Sequence, residues 1–251
     1  MIAYPNAKIN LGLDIIEKRM DGYHEINSVF YPVKDLFDIL EIIPSDNFLF
    51  SSSGLKIPGR IEDNICVQAF NLLKKDFSIQ PVKIHLHKRI PIGGGLGGGS
   101  SDGSFTLTVL NKLFNLKLST AQLHKYALRL GSDCPFFIDN LPMHVTGRGE
   151  CLDWIDLDLS SFEFRFVFPD LHISTADAYA GIKCEMPKKD ILTLIKQPIQ
   201  SWKCRLKNDF EHYSLIKYPK LRNIKEKLYA DGAIYASMSG TGSVFYGIFP
   251  S

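Results

Sequence analysis

Residues 91–102 read Pro91-Ile92-Gly93-Gly94-Gly95-Leu96-Gly97-Gly98-Gly99-Ser100-Ser101-Asp102, with six glycines in seven consecutive positions. Glycine loses more backbone freedom on ordering than any other residue, so an ordered run of this kind needs a compensating contact. The run lies between a predicted strand at 82–87 and an apolar helical stripe that begins at Phe105. Free N–H groups that lead into a helix favour an anion. Residues 91–101, called the glycine loop below, are therefore predicted to hold phosphate rather than to form a flexible linker.

Two common phosphate-binding patterns do not fit this loop. A Walker loop ends in Gly-Lys-Ser or Gly-Lys-Thr, and no lysine occurs between Pro91 and Ser104. The dinucleotide pattern G-x-G-x-x-G matches Gly93, Gly95 and Gly98, but it needs an acidic residue about twenty positions later for the ribose. Residues 103–132 contain no aspartate or glutamate, which argues against a nicotinamide dehydrogenase.

The composition is that of an ordinary globular enzyme. Of the 251 residues, 45% are hydrophobic and 22% are charged, and the formal net charge is +2. So small a charge, without an aromatic and basic cluster, argues against binding to nucleic acid. The five cysteines are scattered without a C-x-x-C pair, which argues against disulfides and a structural zinc site. No membrane helix or signal peptide is recognisable, so a cytoplasmic protein is expected.

Hydrophobic periodicity predicts an α+β fold without strict alternation of strands and helices. Strands are predicted at 8–16, 23–33, 37–43, 82–87, 136–138, 143–146 and 163–168, with a C-terminal hairpin that pairs 233–238 with 243–248. Helices are predicted at 64–74, after the glycine loop, between a capping box (Ser119 with Gln122) and Gly131, at 208–216 and at 219–229. A hairpin turn is predicted at Asp21-Gly22, and turns at 51–59.

Three other segments carry side chains suited to binding or catalysis. Lys8 and Asn10 share one face of a strand whose other face is apolar, a pattern that is equally typical of a solvated strand face. Asp133 is the only acid in a long basic stretch, and both a turn carboxylate and a proton acceptor remain open for it. Tyr23 and His24 follow the hairpin turn, where aromatic residues by themselves are unremarkable.

The glycine loop resembles the phosphate motif of the galactokinase, homoserine kinase, mevalonate kinase and phosphomevalonate kinase (GHMP) superfamily. In that motif a proline, a glycine-rich turn, Gly-Leu and a Ser-Ser pair open a helix. The doubled form found here is similar to the 4-diphosphocytidyl-2-C-methyl-D-erythritol kinase branch of the non-mevalonate isoprenoid pathway. Further segments that resemble this branch cover nearly the whole chain, at 7–11, 21–24, 131–137, 173–179, 207–210 and 239–243.

The resemblance implies a two-lobed fold with a cleft between an ATP lobe, residues 1–152, and a smaller substrate lobe, residues 153–251. It implies phosphorylation, with ATP and Mg²⁺, of the C2 hydroxyl of a cytidine diphosphate derivative. Asp133 and Lys8 are then catalytic, and Asn10, Tyr23, His24 and Tyr179 bind the substrate, with the two tyrosines stacked on cytosine from different sides. The implied nucleotide-binding residues are Asn64, Lys88, Pro91, Gly93, Gly94, Gly95, Leu96, Gly97, Gly98, Gly99, Ser100 and Ser101, and no residue is assigned to a metal.

Two alternatives stand beside this interpretation. Another GHMP kinase, such as a mevalonate or homoserine kinase, would share the glycine loop. It would give no reason for Gly22-Tyr23-His24 together with Tyr179, since stacking rings and an imidazole suit a cytosine. A nucleic-acid-binding module is the non-enzyme alternative, because the fold type of the ATP lobe also occurs in ribosomal proteins.

Overall fold

The computed structural model describes residues 1–182, 184 and 190–251, which form eleven strands and eight α-helices. In chain order these are β1 (Ile2–Ala3), β2 (Asn6–Lys18), β3 (His24–Phe37), β4 (Ile39–Pro44), β5 (Leu49–Gly54), α1 (Ile65–Phe77), β6 (Val82–Lys88), α2 (Gly98–Leu113), α3 (Thr120–Leu130), α4 (Phe136–Asp139), β7 (Met143–Thr146), β8 (Cys151–Trp154), β9 (Phe162–Val167), α5 (Thr175–Ala180), α6 (Ile191–Ile195), α7 (Asp209–Lys217), α8 (Lys220–Ala230), β10 (Tyr235–Met238) and β11 (Phe245–Pro250). The mixed α+β class agrees with the prediction.

The chain forms two compact units that are interleaved along the sequence. The first unit comprises Met1–Lys8, Pro32–Ile92 and Gly97–Leu141, and the second comprises Ile9–Tyr31, Gly93–Leu96 and Pro142–Ser251. The predicted division into domains at residues 152 and 153 is a single cut of the chain, and it stays a prediction.

In the first unit a four-stranded sheet, in the order β1-β4-β6-β5, packs against helices α1, α2 and α3. Strand β6 alternates strictly, so that Val82, Ile84 and Leu86 are buried in the core. The next inward position belongs to Lys88, which is therefore placed where an apolar residue is expected. The end of β6 thus brings the charged side chain of Lys88 close to the start of the glycine loop.

The second unit contains two sheets. One sheet contains residues 9–31 of the β2–β3 hairpin together with β7 and β8, and in it Ser28 of β3 pairs with Val145 of β7. The other sheet has the order β10-β11-β9 with all neighbours antiparallel. Buried aromatic residues, among them Tyr235 and Tyr246, fill its core, and the Tyr246 hydroxyl donates to the Asn10 carbonyl oxygen at 2.7 Å.

Most predicted elements are confirmed within one to four residues at their ends, including the capping box of α3. Two predictions are wrong. The segment at 51–59 is expected to form turns, but its first four residues belong to β5, which pairs in parallel with β6. The hydroxyl groups of Ser51 and Ser53 support this pairing through hydrogen bonds to the His85 ring, at 2.9 Å each. The expected strand at 136–138 is the one-turn helix α4, since Pro135 starts a helical turn and Phe136 and Phe137 are buried by it. Strands β1 and β8 and helices α5 and α6 lie outside the predicted elements.

No helix in the described parts of the chain is long and apolar enough to span a membrane.

Candidate active site

Every second residue from Gly93 to Gly97 has left-handed backbone. The φ angles of Gly93, Gly95 and Gly97 are +75°, +78° and +69°. Residues with a Cβ rarely adopt this region, so these three positions require glycine for their conformation alone.

In the second unit the loop is packed against the turn that joins β10 to β11. A Cβ on Gly95 would lie 2.0 Å from the Ser239 carbonyl oxygen, and the Ser239 hydroxyl donates to the Gly95 carbonyl oxygen at 2.8 Å. Asn208 fixes this turn from behind, because its side-chain amide donates to the carbonyl oxygens of Met238 and Gly240 at 2.8 Å each. Two segments that resemble the family, at 239–243 and 207–210, therefore meet at the loop, the first by direct contact and the second as its structural support.

In the first unit the loop opens helix α2, which is 16 residues long and preceded by Gly97. Because residue 97 has no side chain, nothing from that position caps the first N–H groups of the helix, which have no intrahelical partners. The hydroxyl of Ser101 is buried and has no hydrogen-bond partner among the described residues. Such a helix start can take an anion through its backbone and its dipole.

A lysine and an aspartate lie beside this helix start. The Lys8 ammonium is 3.6 Å from the nearer Asp133 carboxylate oxygen, with side-chain exposures of 4% and 31%. Burial lowers the pKa of Lys8, and the charge and hydrogen bond of Asp133 partly offset this. A Cβ on Gly97 would lie 3.0 Å from Lys8 Cγ and 2.9 Å from Phe137 Cζ. Gly97 therefore rests on the lysine that pairs with the accessible carboxylate.

Two predicted nucleotide-binding residues have local partners. Asn64 is the N-cap of α1, where its side-chain oxygen accepts the Cys66 N–H at 2.9 Å. Lys88 is 3% exposed, and its ammonium lies against the carboxylates of Asp38 and Asp102. The first arrangement agrees with an ordinary helix cap, and the second places Lys88 below the loop rather than on its surface.

The predicted substrate-binding residues all lie in the second unit. The rings of His24 and Tyr179 are stacked, with centroids 4.5 Å apart and an interplanar angle of 23°. Tyr23 is 57% exposed, and the Arg148 guanidinium lies over its ring at 4.6 Å. In this structure Tyr179 therefore stacks on His24 and also meets the ring of Phe210 edge to face, whereas one face of Tyr23 is covered by a cation.

Two of the predicted substrate-binding residues, His24 and Asn10, also carry polar side-chain atoms. Burial, and to a smaller extent the charge of Lys18, lower the pKa of His24. The imidazole is then neutral at physiological pH and has one donor and one acceptor nitrogen. Asn10 is 2% exposed, and its amide donates to the Ser28 hydroxyl at 3.0 Å, which in turn donates to the Gly12 carbonyl oxygen.

Sequence reasoning missed three charged residues near these groups: Arg148, Asp38 and Asp102. Asp38 could have been noticed as a lone acid between the apolar residues Phe37 and Ile39. Arg148 offered only the flanking glycines of a turn as a signal. Among the described residues, no group of three or more His, Cys, Asp or Glu side chains is arranged to hold a metal ion.

Comparison with known proteins gives consistent matches over the chain. Residues 64–140 match the GHMP kinases N terminal domain, and residues 193–251 match the GHMP kinases C terminal. A relative from Azobacteroides pseudotrichonymphae, called 4-diphosphocytidyl-2-C-methyl-D-erythritol kinase, is 49% identical over 99% of this chain and 93% of its own length. The crystal structure of a 4-(cytidine 5'-diphospho)-2C-methyl-D-erythritol kinase is similar with a TM-score of 0.86 at 29% identity, over 99% of this chain and 90% of that one. A homoserine kinase from Cytophaga hutchinsonii shares the fold with a TM-score of 0.70 at 16% identity, over 98% of this chain and 85% of that one.

The loop geometry leads to a prediction about ATP affinity. Gly97→Val forces a branched residue into left-handed backbone and pushes Lys8 and Phe137 aside, so ATP affinity measured by calorimetry should fall by at least about a hundred-fold. Gly59→Val is the matched control, because Gly59 has a φ of +93° but nothing within 4 Å of an added Cβ. Circular dichroism should show both variants folded. Unchanged affinity in Gly97→Val, or an equal loss in both variants, would contradict a phosphate-binding role of the loop.

Proposed function

The chain belongs to the 4-diphosphocytidyl-2-C-methyl-D-erythritol kinase family of the GHMP kinases, and from this membership we propose its reaction. It transfers the γ-phosphoryl group of ATP to the C2 hydroxyl of 4-diphosphocytidyl-2-C-methyl-D-erythritol, giving the 2-phosphate and ADP. The observation that carries the proposal is the position of Lys8, which supports Gly97 with its stem and pairs with Asp133 through its ammonium. One side chain thus links the phosphate-binding backbone to a carboxylate that can accept a proton.

The nucleotide phosphates bind the backbone N–H groups of the glycine loop and of the first turn of α2. This is supported by the three left-handed glycines, which let the loop turn tightly, by Gly99, where nothing lies within 4 Å of an added Cβ, and by the buried Ser101 hydroxyl. Mg²⁺, when bound with ATP, supplies charge neutralisation on the phosphate oxygens. The contact of Asn64 with the adenine stays a prediction, since its side chain already caps α1.

The chemical step needs little covalent work from the protein. The C2 oxygen attacks the γ-phosphorus, the bond from that phosphorus to the β–γ bridging oxygen breaks, and ADP leaves with the bridging oxygen. The hydroxyl proton passes to Asp133, whose side chain is 31% exposed and so is accessible to the hydroxyl group of the substrate. Lys8 holds the carboxylate in place and stabilises negative charge on the transferred group.

The cytidyl group of the substrate is recognised by the second unit. Tyr23, His24 and Tyr179 provide ring faces, and the neutral His24 can both donate to and accept from the polar edge of a cytosine. Because His24 and Tyr179 are stacked on each other here, a base that stacks on Tyr179 must share or replace that contact. Asn10, held by Ser28, supplies an amide to the acceptor end of the substrate.

We further propose a cytoplasmic enzyme that acts on a small molecule. All five cysteines are free thiols, as is typical of a reducing compartment.

A coupled assay of ADP release tests the reaction. Equal concentrations of the cytidyl substrate, mevalonate and homoserine are compared with the same enzyme and MgATP. The proposal expects turnover with the cytidyl substrate only. Faster ADP release with mevalonate or homoserine would instead assign the chain to a sister kinase, which the sequence comparisons do not favour.

Loss of the proton acceptor should affect turnover more than binding. Asp133→Asn keeps the shape of the side chain but cannot take the proton, so kcat should fall by about 10²–10⁴ with little change in either KM. Asp139→Asn is the matched control, because Asp139 is a nearby acid that pairs with His124 at 2.7 Å. Retention of more than about a third of the wild-type kcat by Asp133→Asn would show that this residue only orients the turn.

The cytidyl group gives the clearest test of specificity. Tyr23→Ala should raise the KM for the cytidyl substrate by about ten- to a hundred-fold, since stacking on a base contributes about 1–3 kcal/mol. His24→Ala should in addition weaken discrimination between the natural substrate and its uridine analogue, because a polar contact to the base edge is lost.

Steady-state kinetics with both substrates, and titration with ATP, measure these effects. Tyr4→Ala is the matched control, because Tyr4 is 55% exposed but lies in the first unit against Phe37. Loss of ATP affinity with unchanged cytidyl affinity in the Tyr23 and His24 variants would place these residues at the nucleotide and refute the substrate assignment.

A further inference from the structure

Three charged side chains are buried together at the root of the glycine loop. Asp38, Lys88 and Asp102 are 0%, 3% and 2% exposed. A buried charge is costly unless it is paired, and none of these residues has a role in the proposed chemistry. Their burial therefore calls for a function in holding the structure or the site.

The hydrogen bonds of this cluster reach both ends of the loop. Asp38 accepts the backbone N–H groups of Arg89 and Ile90, at 2.5 and 2.8 Å, where the chain enters the loop. Asp102 is the fifth residue of α2, directly after the chain leaves the loop. The Lys88 ammonium donates to Asp38 at 2.5 Å and to Asp102 at 2.6 Å, and so joins the two ends.

The loop backbone is also built around this lysine. A Cβ on Gly98 would lie 3.0 Å from Lys88 Nζ and 2.8 Å from Ile90 Cγ2. Gly98 is buried, so the ammonium lies beneath the first residue of α2 rather than at the protein surface. The position of Lys88 suits a support below the loop.

We propose that Asp38, Lys88 and Asp102 are positioning residues, which hold the entry and exit of the glycine loop in the geometry that binds the nucleotide phosphates. The proposal rests on the proposed function of the loop. Lys88 then acts through the two carboxyl groups and not by contact with the nucleotide, in contrast to the role expected from the sequence.

The cluster has two carboxyl groups for one ammonium, which decides its charge. The pKa of Asp102 is raised to about 8, mainly by burial and also by the charge of Asp38, whereas the charge and the hydrogen bond of Lys88 lower it. Burial alone would lower the pKa of Lys88, but the two carboxylates outweigh it and raise that pKa. A further ionisable group beside Asp102 is the buried thiol of Cys66 on α1, and burial raises its pKa as well.

At pH 7 Asp102 is therefore protonated, and the cluster of one ammonium and one carboxylate is neutral. The Oδ1 atom of Asp102 has no hydrogen-bond partner among the described residues, which disfavours an ionised form. When the pH rises through the pKa of Asp102, a negative charge forms at the fifth residue of α2, next to the glycine loop. That charge opposes the phosphates, so affinity for ATP should fall in the alkaline range.

The first test replaces the titrating carboxyl group of Asp102. The dissociation constant of MgATP is measured by calorimetry at pH 7 and pH 9, for the wild type and for Asp102→Asn, which imitates the neutral acid. The wild-type constant should rise by about three- to ten-fold over this range, and the rise should be absent in the variant. Titration of ATP itself is common to both proteins. An equal pH dependence in both, or none in the wild type, overturns the neutral-cluster part of the proposal.

The second test removes the lysine. Lys88→Met should weaken MgATP by at least about ten-fold at pH 7, while the dissociation constant of the cytidyl substrate changes less than about three-fold. Lys83→Met is the matched control, because Lys83 is exposed on the same strand β6. ATP affinity of Lys88→Met equal to that of the control overturns the positioning role. If Lys88→Met does not fold, Asp102→Ala, which removes the partner of Lys88 on α2, takes its place: MgATP affinity at pH 7 should fall, and an affinity equal to that of the control overturns the positioning role. Calorimetry needs no turnover, so failure of the proposed reaction would be seen separately in the assay of ADP release.

Discussion

The close approach of bare backbone to an anion is the constraint on which the rest of the site depends. A phosphate group can reach backbone N–H groups only where no Cβ intervenes and where the chain turns tightly enough to present them. The left-handed angles of Gly93, Gly95 and Gly97 provide the tight turns, Gly99 has open space where a Cβ would lie, and Gly97 leaves the start of α2 without a side-chain cap. Each of these features stabilises an anion, and together they explain the glycine run.

A run of glycines is flexible, so its conformation must be enforced from outside. In the second unit the turn after β10 does this, because Ser239 binds the carbonyl of Gly95 and Asn208 holds the turn. In the first unit the buried ion cluster around Lys88 has the same effect on the residues that flank the loop. These contacts offset the entropy that ordered glycines lose, at about 1–2 kcal/mol per residue for the backbone.

Local patterns allowed much of this fold to be predicted from the sequence. The alternation of apolar and polar residues predicts β2 and β6, and Ser119 with Gln122 predicts the capping box of α3. These signals depend only on near neighbours in the chain. Strand β5 was missed because its pairing with β6 is parallel and distant, and serine-rich sequence by itself favours turns.

The candidate site likewise has one part that local sequence predicts and another that depends on contacts between distant residues. The glycine loop was recognisable because its chemistry is contained in a continuous stretch. The contacts of Lys88 with Asp38, or of His24 with Tyr179, join residues far apart in the sequence and could not be derived from spacing. Lys88 at an inward position of β6 is the exception, since the alternation of that strand marks it as buried.

The central claim is that the phosphoryl group goes from ATP to one hydroxyl of the cytidyl substrate. The most direct measurement is ³¹P and ¹³C nuclear magnetic resonance of the product formed from substrate labelled with ¹³C in the methylerythritol. We expect one new phosphate resonance, coupled to C2, and one ADP per product. Phosphate attached to another carbon, or ADP formed together with inorganic phosphate and unchanged substrate, would contradict the account.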